Sequence, residues 1–320
     1  MPLFGRKKQN SPPSAKKADP KQSRILGINW LGIKSTDVVG AAIFMERTLG
    51  LNVSTEGNSN LGHHVRYNCG PIELELLEGA VTWALQPKPR HGAPDIPLIP
   101  SFVVDDIQPI ATLLQEKEIP ATQVFDQGWA SNMLFFDPER HLWQVAQINN
   151  VPPVGTNSLS YLGVLWLAVE DLEAQVKFYQ EVLGLPLTDR GGTERPVTER
   201  AEKEFQNVAE NEDNNKVETA TLEQSPMPDM GAVFFEEGAR LALTSGGKRL
   251  EDGAARVWGK DTAFQLGFRA INLKALAQHL TEHKVPISGP YGDNKSGYWL
   301  HFTDPEGNTW RVTEPLSAKY

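Results

Sequence analysis

Two segments of this chain say nearly the same thing. Asp137–Val145 reads Asp-Pro-Glu-Arg-His-Leu-Trp-Gln-Val, and Asp304–Val312 reads Asp-Pro-Glu-Gly-Asn-Thr-Trp-Arg-Val. Upstream of each lies a helix-like stretch that opens on an aspartate, Asp37 or Asp171, and ends Leu-Gly-Leu. A repeat of this size implies two homologous domains, and 320 residues suit two domains of ordinary size. Asp37 and Asp171 differ by 134, as do Gly50 and Gly184; Asp106 and Asn272 differ by 166, as do Pro120 and Pro286. About 32 extra residues therefore sit early in the second copy, within the polar stretch 190–230. Its Glu, Asn, Thr and Pro content predicts an acidic surface loop rather than a packed element.

Each copy divides again. In the second, apolar Val164–Val169 reads as a strand, Asp171 as an N-cap, and Leu172, Val176, Tyr179 and Leu183 as one helical face, with Gly184 as the closing glycine. Strand-like Ala232–Glu236 and Arg240–Thr244 follow. The pattern then restarts: Phe264–Ala270, an Asn272 cap, Leu273, Leu276 and Leu280 on one face, and strands at Tyr298–Phe302 and Thr309–Thr313. Each half reads strand–helix–strand–strand–strand. The first copy repeats this between Trp30 and Ala146, with caps expected at Asp37 and Asp106.

Charge is unevenly placed. The first 24 residues carry seven Lys and Arg against Asp19, about +6, so the net −9 leaves about −15 on the rest. An acidic body argues against nucleic-acid binding by bulk electrostatics. The Pro-, Ser- and Lys-rich tail, residues 1–26, is expected to be disordered, and it could contact an acidic partner or a membrane surface. No apolar run reaches the ~18–20 residues a bilayer span needs, so no integral membrane association is expected. Cys69, the one cysteine, has no partner for an internal disulfide, and a cytoplasmic location is the expectation.

Paired half-units, an Asp-capped helix ending Leu-Gly-Leu and a terminal Asp-Pro-Glu-Gly-Asn hairpin resemble the vicinal oxygen chelate superfamily of glyoxalase I, bleomycin-resistance and extradiol-dioxygenase proteins. The resemblance implies an α+β protein of two tandem domains, residues 27–150 and 160–320, joined by a linker at 151–159. Each would consist of paired βαβββ units in a curled sheet, with helices outside and a cleft inside. Two copies in one chain supply four units, enough for a monomer.

Enzymes of that superfamily hold a divalent metal on His, Gln or Glu near the start of each unit's first strand and within its last. Carried over, these positions hold Trp30, Glu75, Ile99 and Gln144 in the first copy, and Val164, Ala242, Gln265 and Arg311 in the second. Trp, Ile, Val and Ala cannot ligate, and an arginine repels a cation. Neither copy is expected to bind a metal, and no catalytic residue or cofactor is assigned.

Other ligands remain open. A four-residue connection at 68–71 would pair Arg66 with Glu73 and His64 with Glu75, all on one face. The first cleft would then offer Trp30, His64, Arg66, Glu73, Glu75 and Gln144 to a polar or aromatic molecule. The second would offer Trp166, Gln265 and Arg311, an aromatic wall with one cation, to a planar anion. Against this stand a plain ladder of charge pairs in the first cleft and a self-filled second cleft. Trp143 and Trp310 point the other way, into the core, and Cys69 reads as an ordinary turn cysteine. Three functions stay open: a metal-free small-molecule binder, an interaction or assembly protein with inert clefts that uses its tail or insertion, and a metal-dependent lyase or dioxygenase with a shifted site.

Overall fold

The computed structural model describes residues 24–59, 62–79, 97–127, 130–149, 153–190, 230–235, 237–250, 253–293 and 297–314. The expectations for the basic tail and for nearly all of the acidic insertion lie outside the described residues. Four units follow one another. The first is β1 (Arg24–Ser35), α1 (Val38–Arg47), β2 (Val53–Ser59), β3 (Gly62–Cys69) and β4 (Ile72–Glu78). The second is β5 (Leu98–Val103), α2 (Gln108–Glu116), β6 (Phe125–Asp126), β7 (Ala130–Phe136) and β8 (Leu142–Ile148). The third is β9 (Leu162–Val169), α3 (Leu172–Lys177), β10 (Leu187–Asp189), β11 (Met230–Phe234) and β12 (Arg240–Ser245). The fourth is β13 (Phe264–Ile271), α4 (Leu273–Glu282), β14 (Ile287–Asp293), β15 (Gly297–Thr303) and β16 (Thr309–Glu314). Every unit is the expected βαβββ.

Two eight-stranded sheets result, but the units that share a sheet come from different copies. The first sheet runs β14-β15-β16-β13-β1-β4-β3-β2 and joins units one and four. The second runs β10-β11-β12-β9-β5-β8-β7-β6 and joins units two and three. The seams are antiparallel, β1 on β13 and β5 on β9. The chain path explains the exchange. The connection from β8 to β9 is 13 residues, against 19 from β4 to β5 and 18 from β12 to β13, and the units joined by this shortest connection, two and three, are the ones that lie side by side. Units one and four are left to pair with each other. β1 also takes up Arg24 and Ile25, assigned above to the tail, because they lie opposite Ile271 and Ala270.

Caps and periodicity account for the helices. The Asp37 side chain accepts from Gly40 N at 2.9 Å, Asp171 from Ala174 N at 3.0 Å and Asn272 from Ala275 N at 3.3 Å, each satisfying one orphan donor of a first turn. Asp106 does not cap α2. The helix starts after Ile107, and the Asp106 carboxylate accepts from Gln108 N instead. Beyond α3 the chain continues as one π-helical turn, Phe178–Val182.

One face of each sheet packs under the helices in a shared apolar core. Leu31, Ile33, Val65, Tyr67, Leu74 and Leu76 enter it from the first sheet, and Phe102, Trp143, Val145, Leu165 and Leu167 from the second. Trp143 and Trp310 lie in this core, as alternation from the cleft positions requires. Trp143 meets Phe264 of the other sheet edge-on at 5.6 Å.

The repeated Asp-Pro-Glu motif is a buried fastening. Asp137 Oδ1 accepts from the backbone of Glu139 and His141, and Asp304 Oδ1 from that of Glu306 and Asn308. Oδ2 of each accepts from the indole of the following tryptophan, Trp143 or Trp310. The motif glutamate then reaches back to the first helix of its own copy: Glu139 accepts from Thr36 N, and Glu306 from Asp171 N.

Candidate ligand-binding site

The β3–β4 hairpin decides which side chains line the first cleft. Its turn has two residues, Gly70 and Pro71, not four; Gly70 has φ 65°, a conformation suited to glycine. Cys69 therefore closes β3 opposite Ile72 and is fully buried, and burial pushes its thiol up to about 12. Arg66 faces Glu75, not Glu73, and His64 faces Leu77. A slip of two leaves every side chain on its face, so His64, Arg66, Glu73 and Glu75 still share the concave side.

The seam between β1 and β13 changes the rest of the lining. Gln265 and Arg311 belong to unit four, so they join Trp30, not Trp166. Gln144 belongs to unit two and joins Trp166 in the other cleft. The grouping expected from the sequence is corrected at these three residues, because sheet partners cross the copies.

Trp30 forms the floor of the first cleft. A Cβ added to Gly32 would lie 2.2 Å from Trp30 Cη2, and one on Gly267 would lie 2.9 Å from Trp30 Cβ. Two missing side chains thus make room for the indole to lie on the sheet. Trp258 stands edge-on to it at 5.6 Å and 80°. The Trp30 Nε1 donates to Glu75 Oε2 at 2.7 Å, and Arg66 Nε donates to Glu75 Oε1 at 2.8 Å. Both oxygens of this buried carboxylate are engaged. Arg66 also lies 3.5 Å from Glu73.

Arg311 lies over the Trp30 ring at 5.2 Å, a cation–π contact. Its Nε is buried without a hydrogen-bond partner, as are Gln265 Oε1 and His64 Nδ1. No carboxylate among the described residues approaches Arg311 within ion-pair distance. Burial lowers its pKa, opposed by the more distant charge of Glu75. His301 lies opposite it on β15. Burial first, and Arg311 second, lower the His301 pKa, so the imidazole is neutral at pH 7. Two residues along β15, Trp299 meets Tyr291 of β14 at 6.0 Å.

The second cleft is different. Ile99, Val103, Leu134, Leu142, Val164, Trp166, Val233 and Ala242 form a separate apolar cluster on its concave face. Gln144 donates to Asn132 at 2.9 Å within it, and Trp166 is 2% exposed. The interior of this sheet is filled by its own side chains.

The metal positions can now be read as they assemble. The first cleft brings together Trp30, Glu75, Gln265 and Arg311; the second brings together Ile99, Gln144, Val164 and Ala242. Neither set fits a divalent cation. In the first, both Glu75 oxygens already accept hydrogen bonds and a guanidinium stands among the donors. In the second, Gln144 is the sole donor. Among the described residues no group of three His, Cys, Asp or Glu could hold a metal.

Sequence reasoning missed Trp258, Trp299, Tyr291 and His301. Trp258 sits in an irregular loop with no periodic signal. Alternation along Tyr298–Phe302 already put Trp299 and His301 on one face, but pairing that run end to end with Thr309–Thr313 is one residue off the register that sets His301 opposite Arg311.

Residues 159–312 match the family model of the Glyoxalase/Bleomycin resistance protein/Dioxygenase superfamily. Glyoxalase I from Zea mays is similar in structure at TM-score 0.59 and 15% identity, over 92% of this chain and 92% of that one. A protein provisionally called a dioxygenase, from Bacillus subtilis subsp. subtilis str. 168, is similar at TM-score 0.58 and 12% identity, over 91% of this chain and 86% of its own. No curated relative matches the sequence.

Proposed function

We propose that this chain, whose residues 159–312 match the Glyoxalase/Bleomycin resistance protein/Dioxygenase superfamily model, binds a small anionic molecule in the first cleft without a metal ion. The observation that carries this is Arg311. It is a half-buried cation over the Trp30 ring, with its Nε unpaired. Arg66 and Trp30 have meanwhile taken up the nearby carboxylate. A guanidinium without a carboxylate partner is suited to bidentate recognition of an oxyanion. Gln265 Oε1 and His64 Nδ1 are buried polar atoms without partners, available to orient a ligand.

The test is a thermal-shift screen of chelator-treated full-length protein against small carboxylates, phosphates and neutral analogues, run beside Arg311→Gln. Anions should raise Tm in the native protein and not in the variant. A shift that requires added Fe, Mn, Ni or Zn would overturn the reading and favour a shifted metal site.

A second reading, an interaction or assembly protein with inert clefts, draws support from the second sheet, whose apolar cluster leaves no polar cavity to serve. Deleting residues 1–24 or 190–229 would abolish such a function and leave ligand binding unchanged. A cytoplasmic location accords with either reading, since Cys69 is a free, buried thiol. Among the described residues no helix is long and apolar enough to cross a membrane.

A further inference from the structure

The concave face of unit four carries more than a cation. Trp299 and His301 alternate along β15 on the face that holds Arg311, and Tyr291 of β14 lies opposite Trp299. The two rings meet at 6.0 Å and 39°, and the Tyr291 hydroxyl is held by Ser288 Oγ at 2.6 Å. A Cβ on Gly292 would lie 2.0 Å from Gly297 O and 2.8 Å from Trp299 Cζ3, so backbone and indole together exclude a side chain there. Tyr291 is 47% exposed, unusual for an aromatic so well fixed. The opposite rim is of another kind, with Arg66, Glu73 and His64 from unit one. Its Arg66 is already paired with Glu73 and Glu75.

We propose that the ligand is an aryl carboxylate, with its carboxylate on Arg311 and its ring against Trp299 and Tyr291. This rests on the reading of the first cleft as a metal-independent anion site. Arg311 lies opposite His301 and therefore diagonal to Trp299 on the neighbouring strand, and such diagonal pairs are about 7–8 Å apart. A carboxylate one to three bonds from a ring covers that distance. A bare inorganic anion would leave the aromatic pair unused, and an alkyl chain would forgo the stacking geometry that two fixed rings offer. Trp30 cannot be the stacking partner, because Arg311 lies on its ring and it is 6% exposed.

Isothermal titration of the chelator-treated full chain with 3-phenylpropionate, 3-phenylpropionamide, hexanoate and inorganic phosphate tests this. Phenylpropionate should bind at least ~10-fold more tightly than the other three. Arg311→Gln should lose that binding. Trp299→Leu and Tyr291→Leu should each bring phenylpropionate down to the level of hexanoate while both carboxylates still bind. Two leucine variants guard against one failing to fold, with circular dichroism as the check. Hexanoate or phosphate binding as tightly as phenylpropionate would overturn the aryl assignment and leave the anion site standing. So would leucine variants that match the native protein. Failure of all four probes, or binding untouched in Arg311→Gln, would overturn both.

Discussion

Asp137 and Asp304 do the same work in two surroundings, and the difference is measurable. Each accepts two backbone amides and an indole N–H in the core. Asp304→Ala would leave several buried donors unpaired. A loss of about 3–5 kcal/mol is expected in urea denaturation, at the high end for single substitutions. Around Asp137 a further partner is His141, whose Nδ1 lies 2.6 Å from Oδ2; around Asp304 the Asn308 amide takes that place, and Gln175 and Tyr179 donate as well. Burial works against a charged His141, but Asp137, by charge and hydrogen bond, outweighs it and raises the pKa. A folded pKa above the unfolded value means protonation favours the fold. That stability is complete below about pH 6.5 and is lost as pH rises through the folded value. Native protein should therefore lose stability across that window, and His141→Asn, which copies the second domain, should flatten the profile. A native profile that is already flat would refute the pairing. Cys69 gives a further check. Fully buried, with its thiol pushed up to about 12, it should resist thiol reagents at pH 8 until denaturant is added. The chemistry of the motif residues was visible in the repeat; their buried partners were not, because Tyr179 and Gln175 reach Asp304 from 125 and 129 residues away.

Elements were the most legible scale. Apolar strand runs marked all four units and Asp or Asn caps three of them, Asp106 being the exception, since local hydrogen bonding and strand patterning are written in adjacent residues. The β3–β4 turn was not. Asn68-Cys69-Gly70-Pro71 is compatible with a two- or a four-residue connection, and the two registers differ by two residues and so bury the same face. Hence the expected cleft set of Arg66, Glu73, Glu75 and His64 survived a wrong pairing. What sequence could not show is that Gly32 and Gly267 exist to seat Trp30. Gly32→Ala puts a methyl where the indole lies. It should cost about 1–3 kcal/mol by overpacking and change tryptophan fluorescence, and Trp30→Leu in the same chain should recover part of the loss. An unchanged Tm in Gly32→Ala would show that Trp30 does not lie there.

At the level of the molecule, the repeat announced four units but not their partners. Any unit offers the same kind of edge, β1, β5, β9 or β13, and the apolar pattern of a seam strand does not name its mate. The consequence is testable. Separated fragments 24–149 and 153–314 each hold two units from different sheets. Neither should unfold cooperatively as a monomer by sedimentation and circular dichroism, whereas mixing them should restore both. A monomeric fragment with full cooperativity would contradict the crossed pairing. That pairing is also what brings Arg311 of the second copy to Glu75 and Trp30 of the first, and the functional proposal depends on the meeting. The most direct test is elemental mass spectrometry of untagged protein prepared without chelator, after incubation with Fe(II), Mn(II), Ni(II) and Zn(II) in turn. Metal at background for every ion is the predicted result. One equivalent of any of them, lost in Glu75→Ala, would contradict the claim that Arg311 has taken the place of a metal in this cleft.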